Sequence, residues 1–364
     1  MRNRSEARGT FEIRGDARFS AVPYQRTSGA YTIRSYAVEA DMRRREFISL
    51  LAGAAVVPSF PVLAQRRPLQ IGWLGFGRDA EGQIDRSLRE ALAQNGLAEQ
   101  RNINIVYRFA NANSAQLSPL AQELVALKPN VLIGIGGDVV KALVEASQGS
   151  IPVVGGVSDN PIRAGFAASL ARPGKNFTGV TFLTDEMAAK RMELLHEVLP
   201  SAKRVNVIYN PQHFDDELTF ARRAAGLLSI ELSVHPIVHA GELDGALRAA
   251  TTDRSDAIFV IASRLTNLLS DKLAQFGLQE KIPVIAAWRE FTASGALLSY
   301  GPDRIVLAKR IAAYVQKVLS NAKPGDLPIE QPTKFELVVN LKTARTIGLN
   351  INREFLLRAD DLID

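Results

Sequence analysis

The chain has 364 residues, a mean hydropathy close to zero and a formal net charge of +6 at pH 7. It contains no cysteine, which excludes disulfides, thiolate metal sites, a cysteine nucleophile and a lipidated cysteine anchor. The length predicts about two domains of ordinary size. Much of the excess positive charge lies in an arginine-rich stretch before residue 66, so the basic character indicates no nucleic-acid surface.

The first segment, residues 1–41, is polar, arginine-rich and without hydrophobic periodicity. It ends directly before Met42, where a recognisable leader begins. We expect Met42 to be the true start of the protein and residues 1–41 to be a mis-called N-terminal extension.

Residues 42–65 have the three-part layout of an export signal. Three arginines starting at Arg43 precede a short apolar run and a small-residue site before Gln65. The paired arginines resemble a Tat-type signal, although Arg43 stands where Ser or Thr is usual. We expect export to the periplasm and cleavage between Ala64 and Gln65, by a Tat or a Sec route. A cytosolic protein with an amphipathic tail fits this layout less well.

Alternating strands and helices follow the leader. Continuous apolar runs are typical of strands that a parallel sheet buries on both faces, and i, i+4 spacing indicates helices between them. Strands are predicted over 69–74, 103–109, 131–135 and 153–155, and helices over 83–95, 115–127 and 138–147. This alternation predicts a parallel, doubly wound sheet.

The stretch from 151 to 184 joins two such units. The strand within it is followed by Ser158-Asp159-Asn160-Pro161, which predicts a capped helix over 161–170. A second β-rich run covers 177–183. Ligands bind at the carboxyl ends of strands in open α/β sheets, so we interpret this stretch as one edge of a cleft. Taken alone, the stretch fits an ordinary βα loop better.

The alternation then repeats over a second series of elements. Strands are predicted over 205–209, 231–238, 257–261, 284–287 and 297–300, and helices over 186–199, 215–228, 242–254 and 265–276. The fold class is therefore predicted as α/β, with two doubly wound parallel-sheet lobes and a crevice between them.

The C-terminal part predicts a helix over 304–319, a linker, a strand over 335–340 and a helix over 341–348. These elements are too few for a third core, so we expect them to complete the two lobes. The predicted first lobe is 68–176, completed by about 303–322. The predicted second lobe is 177–302, completed by about 333–364. Several crossing segments would then form a hinge.

Motifs for catalysis are weak. The glycine-rich loop at Gly75 resembles a dinucleotide fingerprint, but the second strand ends without the acid that would hold a ribose hydroxyl. His235 and His239 lie four apart on a strand pattern with Pro236 between them, which argues against a metal pair. We therefore expect no enzyme activity, no cofactor and no metal.

Polar and aromatic residues follow several predicted strands. Carboxyl ends of parallel strands share one edge, so these side chains are expected to line one small-molecule crevice. Trp288 also fits a core position, and Arg264 is a further residue at a strand end. The predicted ligand-binding residues are Phe76, Gly136, Gly137, Asp138, Ser158, Asp159, Asn160, Asn210, Ser263, Trp288 and Tyr300.

Four segments together resemble one known family, the ABC-transporter substrate-binding proteins of the tryptophan/tyrosine-binding-like group. They are residues 169–179, with the pattern S-L-A-R-P-G-K-N-F-T-G, 289–291, 298–302 and 327–344. The resemblance covers essentially all of 68–364. It implies a type I periplasmic-binding-protein fold, capture of an amino acid or similar solute, delivery to an ABC permease in the inner membrane, and no catalysis. We expect a monomer.

The chain departs from the family pattern at three places. Asp159 and Asn160 stand where the family has Gly and Asp, the loop at Gly136 lacks the usual hydroxyl residue, and Ser263 replaces an acid. The ligand chemistry is therefore not inherited directly.

An amino-acid ligand would need donors, an acceptor and an apolar wall. Loop N–H groups at 136–137 and a helix N-terminus at 161–163 are the expected donors for its carboxylate. Asp159 would accept from the ammonium, or alternatively cap the helix. Trp288 and Tyr300 would cover the side chain.

Two other functions fit parts of the pattern. A ligand sensor that signals to a membrane receptor would have the same sequence features as a transport protein. An NAD-dependent enzyme on a doubly wound fold would need an acid after the second strand and a poised base, and neither is seen in the sequence.

Overall fold

The computed structural model describes residues 68–80, 82–158, 160–182, 184–213 and 216–364. The predicted extension, the predicted leader and Asp159 lie outside the described residues. None of the helices in these ranges combines the length and the apolar character that crossing a bilayer requires.

The first sheet has five parallel strands in the order β2-β1-β3-β4-β5. Four of its strands, β1, β3, β4 and β5, are apolar runs mostly buried on both faces, as expected where helices cover a parallel sheet, whereas the edge strand β2 is only partly buried. They are β1 (Leu69–Gly75), β2 (Ile103–Phe109), β3 (Val131–Ile135), β4 (Val153–Val157) and β5 (Phe177–Thr181), with helices α1 (Gln83–Gln94), α2 (Leu117–Ala126) and α3 (Gly137–Ser147).

The second sheet has seven strands in the order β12-β11-β10-β9-β8-β6-β7, parallel except where β10 meets β11. The strands are β6 (Arg204–Tyr209), β7 (Glu231–Pro236), β8 (Ala257–Val260), β9 (Val284–Ala286), β10 (Leu298–Pro302), β11 (Phe335–Asn340) and β12 (Asp361–Ile363). The helices around it are α4 (Thr184–Val198), α5 (Glu217–Leu227), α6 (Leu243–Thr252), α7 (Arg264–Leu268), α8 (Ser270–Glu280), α9 (Arg289–Ala293), α11 (Leu341–Ile347) and α12 (Arg353–Leu356). The predicted α/β class with two parallel-dominated sheets is confirmed.

One helix, α10 (Arg304–Leu319), leaves the second sheet and returns to the first. It begins where the Asp303 carboxylate accepts hydrogen bonds from the N–H groups of Ile305 and Val306, at 2.9 and 3.1 Å. Its buried face packs on α1, β4 and β5. We call the first sheet with α1–α3 and α10 the first lobe, and the second sheet with its helices the second lobe.

The chain passes between the lobes three times: between β5 and α4, between β10 and α10, and over 320–334. The third runs along the edge of the first sheet, where the Glu330 N–H donates to Gly179 O at 2.9 Å and the Thr181 N–H donates to Glu330 O at 2.8 Å. The Tyr314 hydroxyl of α10 donates to Pro328 O at 2.6 Å. These bonds anchor this connection to the first lobe.

One predicted boundary has to move. The run after residue 176 was expected to open the second lobe, but it forms β5 and pairs with β4 in the first sheet. The approach is close, because a Cβ on Gly179 would lie 1.9 Å from Gly155 O. Gly179 also has φ +142°, a conformation that favours glycine. The first lobe therefore extends to about residue 182.

The predicted helix over 161–170 is absent, because residues 161–165 form only turns. The Phe166 N–H donates to Pro161 O at 2.8 Å, and Gly165 at φ +77° then ends the turn. The buried side chain of Phe166 packs on Phe177, with ring centroids 5.6 Å apart. The predicted helix over 265–276 is also divided, into α7 and α8 at Leu269.

Candidate functional site

A cavity of about 190 Å³ lies between the two lobes; we call it the central cavity. It has room for roughly a dozen water molecules, or for a solute of about that many non-hydrogen atoms. Both sheets have neighbouring strands whose following loops diverge to opposite sides, β1 with β3 and β6 with β8. Residues after all four of these strands line the cavity. Each sheet thus offers its topological switch point, the usual ligand position.

The first-lobe wall contributes aromatic rings and small residues at the ends of its strands. Trp73 of β1, Phe76 after β1 and Phe182 after β5 supply the rings. Gly136 follows β3 and Ser158 follows β4. All five residues are at carboxyl-terminal positions of parallel strands, which is why they converge.

The second-lobe wall comes from the loops after β6, β8 and β9. His213 follows β6, Ser263 and Arg264 follow β8, and Trp288 follows β9. Ser263 begins α7, because its hydroxyl accepts from the Thr266 N–H at 3.0 Å while the Thr266 hydroxyl accepts from the Ser263 N–H at 2.9 Å. This reciprocal cap fixes the direction in which Arg264 leaves the helix.

A hydrogen bond connects the lobes at the bottom of the cavity. Ser158 Oγ and His213 Nε2 are 2.7 Å apart, and both residues are buried. Burial, and next the positive charge of Arg264, lower the pKa of His213 to about 3. The imidazole is therefore neutral at pH 7, so one of its ring nitrogens donates and the other accepts.

Arg264 crosses from the second lobe to the first. Its guanidinium forms an ion pair with Asp138 of α3 and lies 4.7 Å from the centroid of the Phe76 ring. The backbone of Gly136 makes room for it, because a Cβ there would lie 1.8 Å from Nη1. Gly136 also has φ +109°, so a larger residue would be strained as well as obstructed.

Arg304 makes the reverse crossing, from α10 of the first lobe to the second lobe. Its Nη1 lies 2.7 Å from Glu290 Oε1 and 3.4 Å from Asn267 Oδ1. The guanidinium is 5.1 Å from the centroid of the Trp288 ring, which Phe182 contacts edge-on at 5.8 Å. Each lobe thus sends one arginine to an aromatic ring and a carboxylate of the other lobe.

Asp85, in the first turn of α1, is a further acid on the cavity wall. Burial raises its pKa to about 6, and the charges of Arg304 and Arg89 only partly oppose this effect. The cavity therefore holds an acid and a base whose pKa values are shifted toward their neutral forms by the same cause, loss of solvent.

A buried ion pair is hydrogen-bonded to the loop after β8. Arg191 Nη2 and Glu217 Oε2 are 2.5 Å apart, and both side chains are 0% exposed. The same Glu217 oxygen accepts from the Ala262 N–H at 3.1 Å. Because Ala262 precedes Ser263 and Arg264, this pair holds the backbone that carries them.

The structure brings together about half of the predicted site. Five predicted residues line the central cavity: Phe76, Gly136, Ser158, Ser263 and Trp288. Asp138 takes part through Arg264, and Gly137 is the buried first residue of α3. The placement of Asp159 lies outside the described residues, so its predicted role stays a prediction.

Three predicted residues lie elsewhere. Asn160 lines a second cavity of about 160 Å³, and its Oδ1 accepts from the Ile162 N–H at 2.9 Å. Asn210 is buried, and its Oδ1 accepts from the Gln212 N–H at 2.9 Å, which shapes the loop that carries His213. Tyr300 was expected to cover the side chain of the ligand, but β10 continues through Pro302 and the Tyr300 ring stacks on Phe335.

The backbone N–H groups that were predicted to bind an anion are either engaged elsewhere or not formed as predicted. The Gly136 N–H donates to Gly156 O at 2.7 Å and so belongs to the first sheet. The helix expected at 161–163 is absent. The positive charges of the central cavity instead belong to arginine side chains, Arg78, Arg264 and Arg304.

Several lining residues were not predicted, among them Trp73, Asp85, His213, Glu290 and Arg304. For Arg304 a signal existed, since it begins a helix that was expected to return to the first lobe. For Trp73 the signal was obscured, because the residue lies inside an apolar strand. No local pattern predicted the hydrogen bond between His213 and Ser158, because the two residues are 55 positions apart in the sequence.

The glycine-rich loop after β1 has a packing reason. A Cβ on Gly75 would lie 2.7 Å from the Phe109 ring of the neighbouring strand.

Among the residues that the structure describes, no group of three or more His, Cys, Asp or Glu side chains is arranged to hold a metal ion.

The chain is similar in sequence to a known protein family and to a characterised relative. Residues 77–363 match the family model described as ABC transporter substrate binding protein. The tyrosine-binding protein of Clostridioides difficile (strain R20291) is 24% identical over 263 residues, covering 71% of this chain and 75% of that protein.

Two solved structures share the fold. A conserved domain protein from Vibrio cholerae is 26% identical, with a TM-score of 0.74 over 81% of this chain and 100% of that chain. An ABC domain from Streptococcus pneumonia in complex with L-Trp is 21% identical, with a TM-score of 0.72 over 81% of this chain and 100% of that chain.

Proposed function

The chain belongs to the family of ABC transporter substrate-binding proteins, and from that premise we propose that it captures a small solute in the central cavity and delivers it to a permease in the inner membrane. One observation carries the proposal: each lobe supplies one wall of a solute-sized cavity, and each wall is formed by residues at the carboxyl ends of strands. Closing two lobes on a solute is a common hinge mechanism.

The contacts between the lobes suit such a mechanism. Arg264 with Asp138, Arg304 with Glu290, and Ser158 with His213 each join one lobe to the other. All three involve side chains that water can solvate when the lobes separate. Opening therefore exchanges these contacts for hydration, and it also separates the rings of Phe182 and Trp288, which pack across the two lobes with centroids 5.8 Å apart.

The cavity suits a solute with a flat apolar body. Trp73, Phe76, Phe182 and Trp288 surround a space of about 190 Å³. Aromatic walls with a few polar groups are the usual makeup of small-molecule sites. Relatives described as tyrosine-binding or solved with L-Trp add support for an aromatic amino acid or a similar compound.

Delivery to a permease requires the protein to be outside the cytoplasm. The leader over 42–65 supports export, with cleavage after Ala64 and action in the periplasm as a monomer. The proposal includes no catalytic step, since the family is one of solute-binding proteins.

The test is to identify the small molecule that the purified protein retains. We expect native mass spectrometry of the purified mature chain to detect a retained small molecule. Adding that molecule back to refolded protein should raise the melting temperature by mass action and reduce the radius of gyration in solution scattering. Tight binding without compaction would contradict closure of the lobes.

A second measurement addresses delivery. Deleting the gene should abolish cellular uptake of the identified solute, and the chain expressed in trans should restore it. If uptake is unchanged while binding persists, a role in transport is wrong.

A further inference from the structure

Arg264 is placed as a group that meets the solute. It lines the central cavity, and the Ser263–Thr266 cap fixes the start of its helix. Phe76 supports the guanidinium from one side. Its side chain is 16% exposed, so a ligand would meet it with little water between them.

The first lobe is shaped around this guanidinium. Gly136 leaves space where any Cβ would come within 1.8 Å of Nη1, and the neighbouring Asp138 supplies one carboxylate oxygen. The other oxygen of Asp138 accepts from the Val139 N–H at 2.7 Å, so the carboxylate is held by its own helix. Asp138 therefore contacts Arg264 through a single oxygen.

A guanidinium is well suited to hold a second anion. It carries five N–H donors in a rigid plane that matches the two oxygens of a carboxylate. A guanidinium can bind more than one anion at once, so the ion pair with Asp138 is compatible with a bound carboxylate. The ring of Phe76 screens one face, which directs a further partner to the edge of the plane.

Three other polar groups on the cavity wall are engaged in different ways. Glu290 is paired with Arg304, and the Ser263 hydroxyl accepts from the helix backbone. His213 is neutral, because burial and the Arg264 charge lower its pKa to about 3. Arg264 is thus a positive charge on the cavity wall that the Phe76 ring and the Asp138 carboxylate hold in place.

Building on the proposed function, the geometry points to Arg264 as the residue that selects the solute: its guanidinium binds a carboxylate, and the surrounding rings bind an aromatic body. The substrate class is small aromatic carboxylates. An α-amino group is not required, because the interaction that orients the solute is made by its carboxylate.

The test uses three probes that share one ring system. L-Tyrosine carries both charged groups, 3-(4-hydroxyphenyl)propanoate lacks the ammonium, and tyramine lacks the carboxylate. A matching set is L-tryptophan, indole-3-propanoate and tryptamine. In at least one set, calorimetry on the mature chain should find that the amino acid and the propanoate both bind. The amine of that set, which lacks the carboxylate, should not bind.

The variant Arg264→Gln should weaken carboxylate binding about 30-fold or more, since it removes a charged partner from a desolvated site. Arg264→Lys keeps the charge without the planar fork and should restore part of the affinity. Arg248→Gln, on the exposed face of α6, is the matched control and should bind like wild type. Circular dichroism melting verifies that each variant folds.

A second variant keeps the test decisive if Arg264→Gln does not fold. Asp138→Asn retains an oxygen for the Val139 N–H but removes the competing carboxylate. Carboxylate affinity should be retained or increased. If tyramine or tryptamine binds instead, and Asp138→Asn abolishes that binding, the selecting residue is Asp138 and the inference is wrong.

The remaining outcomes separate this inference from the proposed function. If a solute of another class is retained and binds independently of Arg264, the inference fails and solute capture stands. If no probe binds and no molecule is retained, solute capture itself fails, and the inference falls with it.

Discussion

The loop after β8 is associated with two kinds of arginine–carboxylate pair. Arg191 and Glu217 belong to the same lobe, and both side chains are 0% exposed. Arg264 and Asp138 belong to different lobes, and their side chains are 16% and 17% exposed. The first pair cannot be hydrated without unfolding the second lobe, whereas the second can be hydrated when the lobes separate. Burial within one lobe therefore distinguishes a structural pair from one that can change partners.

The largest expected effect comes from breaking the structural pair. Glu217→Ala leaves the Arg191 charge buried and removes the acceptor of the Ala262 N–H. We expect the free energy of unfolding to fall by about 3–5 kcal/mol, measured by urea denaturation. Glu193→Ala, which removes an exposed partner of Lys190, is the control and should cost about 0–1 kcal/mol. Equal losses in the two variants would remove the distinction between buried and exposed pairs.

The second effect concerns the inter-lobe bond between Ser158 and His213. The pKa of His213 falls from 6.5 in the unfolded chain to about 3 in the folded one. The unfolded chain therefore binds the proton first, and stability is lost as pH falls through this window. Between pH 6.5 and about 4.5 this group should remove about 2–3 kcal/mol.

Urea denaturation across this pH range, on wild type and His213→Gln, tests the assignment, since the variant should lose that part of the acid sensitivity. Asp85 acts in the opposite direction. Its folded pKa is raised from 3.8 to about 6, so its contribution to stability declines as pH rises between these values. Asp85→Asn should therefore steepen the acid-induced loss. An unchanged pH profile in His213→Gln would show that this imidazole is not the buried neutral group.

The smallest effect on stability is expected from the second inter-lobe arginine. Arg304→Gln removes the pair with Glu290, whose side chains are only 15% and 20% exposed, and should cost about 1–2 kcal/mol. Its main consequence is for closure, since one contact between the lobes is lost. We expect a larger radius of gyration of the ligand-free protein in solution scattering. Arg345→Gln, at an exposed pair with Asp364, should leave the radius unchanged.

The regular parts of the fold were predictable because buried strands are apolar runs, edge strands alternate apolar with polar residues, and helices repeat their apolar residues every three to four positions. β2 and β3 have the predicted bounds, and so does α10 with its Asp303 cap. The assignment of β5 failed because an apolar run does not say which sheet it joins. The helix over 161–170 failed because Gly165 adopts a left-handed conformation that a helix cannot continue through.

The candidate site was predictable where topology alone places a residue. Phe76, Ser263 and Trp288 follow strands directly, and the edge of a parallel sheet brings them together. Tyr300 failed because antiparallel pairing with β11 extends β10 past it. The partners of Arg264 and Arg304 depend on how two lobes meet, and no local pattern in the sequence encodes that distance.

The placement of tryptophan has a practical consequence. The chain contains two tryptophans, and both Trp73 and Trp288 line the central cavity, one from each lobe. Indole emission responds to nearby charge and to water, and Trp288 lies 5.1 Å from the Arg304 guanidinium. The tryptophan fluorescence of the protein, excited selectively over that of tyrosine, therefore originates at the cavity walls, so the molecule carries its own optical reporter of opening and of occupancy and needs no added label.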